Sequence, residues 1–141
     1  MSTECIPEAL HFQEAHGRDV VARFDGGTLT SDAGALLLRE VERATGILRP
    51  FTACFTDHRD AARVDYPVTS LVAQRVYGLA LGYEDLNDHD LLRADPLLAV
   101  LAGSADPTGQ QRRCARDTGN ALAGKSTLNR LELTATTVGP T

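Results

Sequence analysis

The sequence predicts a mainly α-helical fold, a small helical domain carrying an N-terminal β-hairpin. Three observations lead there. Hydrophobic residues make up 43% of the chain but aromatics only 5%, with no Trp, so the core has to come from Leu, Val and Ala, which favours helix on helix over a large sheet. Apolar positions recur at helical spacing from Leu36 to Ala102. Residues that start and stop helices, namely Ser31, Asp32, Gly46, Gly82 and the pair Asp95-Pro96, punctuate that stretch.

Taken in order, residues 1–18 are polar, carry Pro7 and Gly17, show no sustained period and read as a flexible lead-in. Residues 19–102 form the hairpin plus helical domain. Val20 to Phe24 is strand-like, Asp25-Gly26-Gly27 supplies a turn, and Thr28 to Thr30 can return antiparallel. Ser31 or Asp32 can cap a helix that Gly46 ends, with Leu36, Leu37, Val41 and Ala44 on one side. A second helix is expected from Thr69 to Leu81, with Leu71, Val72, Val76, Leu79 and Ala80 on its apolar face and Gly82 at its end. Leu37, Val41, Val76 and Leu79 are accordingly expected to share one core. Asn87 or Asp88 can cap a short helix through Arg93, and Asp95-Pro96 opens another through Ala102. Residues 103–125 read as a basic connecting segment on the surface. Residues 126–141 read as a short helix capped by Ser126 or Thr127, carrying Leu128 and Leu131, followed by a frayed polar tail.

The charge is unevenly spread. The chain carries a net −5, yet residues 1–109 sum to −8 while residues 110–130 sum to +4. Arg112, Arg113, Arg116, Lys125 and Arg130 make up that basic stretch and are the candidate DNA-contacting residues. An exposed basic face with no ligand is the equal alternative. Of the 14 basic residues 13 are Arg, which suits bidentate contacts to phosphate or guanine and also follows from GC-rich coding. Cys5, Cys54 and Cys114 are too few and too scattered for a disulfide framework or a zinc site, so free thiols are expected. No apolar run approaches the ~20 residues of a membrane span, and no signal pattern opens the chain, so the expected location is the cytoplasm.

Three local patterns invite chemistry. Gly119-Asn-Ala-Leu-Ala-Gly124-Lys125-Ser126 matches the P-loop consensus, but the residues before it, from Arg112 to Thr118, are no buried strand from which such a loop could leave. Asp85 to Asp90 resembles a calcium loop but has His89, Asp90 and Pro96 where that loop needs an acid or amide, a glycine and a glutamate. Asp57-His58-Arg59-Asp60 has no nucleophile paired with it and reads as hydrogen-bonded loop structure.

Several longer motifs occur in sequence order: Phe24-Asp-Gly-Gly27, Ser31-Asp-Ala-Gly-Ala-Leu-Leu-Leu-Arg-Glu40, Cys54-Phe-Thr-Asp-His-Arg-Asp60, the run from Gln74 to Asp90, Asp95-Pro-Leu-Leu98, and Leu122 to Glu132. Together they resemble the N-terminal region of bacterial insertion-sequence transposases of the DDE class, group one. The resemblance covers roughly positions 24–132, and its consecutive motifs are more specific than any one of them. It implies a longer protein whose ribonuclease-H-like core binds magnesium through two aspartates and a glutamate for two-metal phosphoryl transfer. Those acids lie downstream of Asn129-Arg-Leu-Glu132, so the resemblance implies no complete ribonuclease-H-like core, no catalytic residue, no metal site and no cofactor in this chain, which is expected to be truncated. The implied partners are DNA at the element ends and the rest of the transposase or a full-length copy. A stand-alone DNA-binding or regulatory fragment, an inert remnant and a P-loop nucleotide hydrolase stay open as alternatives.

Overall fold

The computed structural model describes residues 9–15, 18–23 and 30–133. Strand β1 (Ala9–Ala15) pairs antiparallel with β2 (Arg18–Arg23), with Leu10 opposite Ala22 and Phe12 opposite Val20. β1 falls in the stretch expected to be an unpatterned lead-in, where Leu10-His-Phe12-Gln alternates too briefly to stand out. The expected pairing of residues 20–24 with 28–30 runs through 24–29, outside the described residues.

Six α-helices follow among the described residues: α1 (Ala35–Thr45), α2 (Leu48–Thr52), α3 (Val68–Ala80), α4 (His89–Leu92), α5 (Pro96–Leu101) and α6 (Lys125–Leu133). The mainly helical expectation holds. Gly46 ends α1 as expected, adopting φ 62° so that its N–H reaches the Glu42 carbonyl at 2.7 Å. The start differs. No side chain caps α1, because the Asp32 carboxylate instead accepts from the Tyr83 hydroxyl at 2.8 Å. Thr30 likewise donates to Asp95, the cap of α5, at 2.8 Å, so both residues before α1 are spent on tertiary ties.

The face expected of α1 is reversed. Ala35 and Leu38 pack inward, and the Glu42 carboxylate accepts the Leu48 N–H at 3.1 Å. Leu36, Leu37, Val41 and Ala44 point outward, with Leu37 73% and Val41 58% exposed. Leu79 is 46% exposed and Val76 only half-buried, so the shared core of Leu37, Val41, Val76 and Leu79 does not form. The reason lies in α1 itself. It carries apolar residues on two sides, and the side with the small Ala35 lets it approach α5, whose Ala99 and the following Ala102 are also small.

Helix α3 lies at the centre and buries Ser70, Leu71, Val72, Ala73, Gln74, Tyr77 and Gly78. One cluster joins Ala35, Ala73, Tyr77, Leu98, Leu101 and Leu122; a second joins Leu71, Ala123 and Leu128. Ala121, Leu122 and Ala123 are fully buried, which corrects the reading of 103–125 as surface throughout. Three apolar residues are too few to show a period, and polar groups of other elements complete their burial. The Leu122 N–H donates to the Arg93 carbonyl at 3.0 Å, and Gln74 takes both backbone groups of Ala123, accepting from its N–H at 3.1 Å and donating to its carbonyl at 2.7 Å.

Gln74 also donates to Nδ1 of the fully buried His89 at 3.2 Å. Its amide is oriented by Ala123, so His89 has to accept there and keep its proton on Nε2. Gly78 makes room for the ring: a Cβ at that position would lie 2.8 Å from His89 Cε1. Two expected caps are also corrected. Asp85, not Asn87 or Asp88, caps the turn before α4, accepting from the Asn87 N–H at 2.8 Å. Helix α6 begins at Lys125, whose N–H donates to Asp90 Oδ1 at 3.0 Å, so Ser126 and Thr127 sit in its first turn rather than capping it. Asp95 caps α5 as expected, accepting from Leu97 at 2.7 Å and Leu98 at 3.0 Å.

Candidate functional site

Of the five basic residues singled out by sequence, only Arg116 and Arg130 line the same cleft. Arg112 stacks 4.8 Å over the Tyr66 ring and donates to the Ala121 carbonyl, so it braces the buried segment. Arg113 donates to the Ala62 carbonyl at 2.6 Å and pairs with Asp65 at 3.3 Å. Lys125 pairs with Asp90 at 3.5 Å and donates to Asn87 at 3.0 Å. Arg116 lies 3.6 Å from Asp117 with an 86% exposed side chain, and Arg130 sits on α6.

Arg116 and Arg130 line one open cleft of about 500 Å³. It is bounded by the loop before α3, the end of α4, the turn at Ala115–Asp117 and the first turn of α6. Arg59, Arg63 and Arg93 line it as well, three arginines that a linear charge count passes over because they belong to the acidic part of the chain. Only the motif from Asp57 to Asp60 hinted at any of them, and it holds Arg59 alone. Aspartates also face the cleft, but each serves a cation or a backbone amide. Asp60 accepts from the Ala62 N–H and lies 3.6 Å from Arg63, Asp65 pairs with Arg113, and Asp117 with Arg116. The Lys125 backbone N–H and then its ammonium hold the Asp90 carboxyl below its ordinary range. Arg59 chelates Asp57 at 2.7 and 2.8 Å, and that pairing lowers the Asp57 pKa. Three of the cleft's arginines are themselves the partners of acids, Arg59 of Asp57, Arg63 of Asp60 and Arg116 of Asp117.

The P-loop lookalike is not built to cradle phosphates. Five of its backbone N–H groups, on Gly119, Asn120, Leu122, Ala123 and Lys125, already donate to protein acceptors, and the element that leads into it is the helical turn at Ala115–Asp117 rather than a strand. The calcium-loop lookalike is likewise dismantled, since Asp85 serves as a cap, His89 is buried against α3, and Asp90 faces Lys125.

A family model described as transposase DDE domain group 1 matches residues 12–139. The chain belongs to that family. No curated protein and no solved structure matches it. The transposase family places the chain in DNA transposition and implies a divalent metal. The described residues do not fit such an ion: no three His, Cys, Asp or Glu side chains converge, and the acids above are committed to caps and arginines. No helix among the described residues is long and apolar enough to cross a membrane.

Proposed function

We propose that this transposase-family chain holds DNA at the element ends without catalysing strand cleavage itself. The observation that carries the reading is the cleft, where Arg116 and Arg130 of the basic stretch meet Arg59 and Arg63 from a distant part of the chain. Guanidinium groups gathered from several elements match a phosphate backbone, which presents regularly spaced charges rather than one. Arg112, Arg113 and Lys125 support that surface by bracing the segments that carry it. Fluorescence anisotropy with duplexes carrying the element ends, across a salt series, tests this. Arg116→Ala with Arg130→Ala should weaken binding and lower the salt slope by about 0.9 per lost contact. Unchanged affinity and slope, or no binding by the parent chain at low salt, would sink the reading.

A further inference from the structure

Helix α1 presents a face that the described fold leaves uncovered. Ala35, Leu38 and Glu42 turn inward, so the helical step puts Leu36, Leu37, Glu40, Arg43 and Ala44 on the opposite side, with Val41 at its flank. All six are exposed, Leu37 most among the apolar ones. Single exposed leucines are ordinary, but three large apolar residues close together on one helix mark a contact surface. The charge of the helix narrows what it meets. Arg39, Glu40, Glu42 and Arg43 sum to zero within residues 1–109, which sum to −8, so α1 offers no excess of either sign for an acidic or a basic partner to select. The outward Glu40 and Arg43 are of opposite sign, three residues apart and paired at 3.0 Å.

We infer that this face of α1 docks on the same face of a second copy of the chain, the two helices running antiparallel across a two-fold axis. The charges set that arrangement. An axis crossing between Val41 and Glu42 brings Glu40 level with Arg43 of the second copy and Arg43 level with its Glu40, so each ion pair can be exchanged between the copies. Parallel helices in register would set Glu40 against Glu40 and Arg43 against Arg43. The antiparallel register also brings Leu37 level with Gly46, where a Cβ would meet nothing within 4 Å, and the small Ala44 lets the helices approach. Two single helix faces bury less than a standard protein interface, so the association is reversible and depends on concentration. It does not rest on the reading of the arginine cleft, which other elements line.

The test is sedimentation velocity of the full chain over a concentration series without DNA, on the parent, Leu37→Asp, Glu40→Arg and Arg43→Glu, with circular dichroism to show that each folds. The parent is expected to dimerise, and Leu37→Asp to do so about tenfold more weakly. Glu40→Arg sets only arginines across the pairing line and Arg43→Glu only glutamates, so each alone should also self-associate about tenfold more weakly. Mixed together, these two variants should form a heterodimer about as tight as the parent dimer, because opposite charges meet again. Both have lost the ion pair within their own chain, so a merely structural role for that pair would not restore association on mixing. A parent that stays monomeric up to about 1 mM refutes the second copy and leaves the face to a different partner. Dimers that persist unchanged in Leu37→Asp lie elsewhere on the molecule and refute the proposal too. Failure of the mixed variants to recover association refutes the antiparallel pairing.

Discussion

Helices α1 and α3 use their residues in opposite ways. α1 turns Leu36, Leu37 and Val41 to solvent, and Ile47 and Phe51 beyond it are exposed as well. α3 meanwhile buries Ser70 and Gln74, with no atom of Gln74 accessible. Side-chain hydropathy alone would have arranged them the other way round. Burial goes instead to residues that let backbones approach, as Ala35, Ala99 and Gly78 do, or that satisfy backbone groups trapped by that approach, as Gln74 does for Ala123.

The sharpest way to break this contrast is at Gln74. Gln74→Ala strands the N–H and carbonyl of Ala123, each at roughly 1–3 kcal/mol, and removes the partner of His89 Nδ1. Urea unfolding should show a loss of about 3 kcal/mol or more. A loss below about 1 kcal/mol would mean that the polar clamp does not hold α3 to the buried segment.

A smaller effect should follow pH. Burial pushes the His89 imidazole below its ordinary value of 6.5, with Arg75 adding to the depression and Asp88, Glu132 and Asp90 opposing it. The unfolded chain therefore takes up this proton before the folded one does. Stability from His89 is fully present above about pH 6.5 and is lost as pH falls through the folded value, with a slope of at most about 1.4 kcal/mol per pH unit. Asp57, Asp85, Asp90 and Asp106, all lowered by hydrogen bonds, add losses only as pH falls below their ordinary 3.8. Unfolding midpoints measured from pH 7.5 to 4.5 should thus begin to fall near 6.5. The same slope surviving in His89→Gln would rule His89 out as its source.

The smallest effect belongs to the outward face of α1. Leu37→Asp should change stability by no more than about 0.5 kcal/mol, since a side chain 73% exposed buries neither carboxylate nor apolar surface. A loss of several kcal/mol would restore the helix phase that periodicity suggested and dissolve the contrast with α3.

Local chemistry was legible at Gly46 and at Asp95-Pro96. Gly46 supplies a positive φ, Asp95-Pro96 supplies a cap and an N1 proline, and both ended or opened helices as read. The helical class and the family followed from composition and from motifs spread along the chain. Which side of α1 faces inward was not legible, because apolar residues occupy both sides and only packing against the small residues of α5 chooses between them. The cleft was half-legible. Arg116 and Arg130 stand in a basic run, but Arg59, Arg63 and Arg93 are scattered through an acidic stretch and meet them only in three dimensions. Arg112, Arg113 and Lys125 count as positive in any window, yet the tertiary structure commits them to Ala121, Asp65 and Asp90. Covalent order and local backbone preference act over a few residues, so the sequence alone determined most helix-forming segments, the end of α1 at Gly46 and the start of α5 at Asp95-Pro96, but not α2 or the caps of α1, α4 and α6. Side-chain partners are decided across tens of residues, and only the packed chain settles which charges meet.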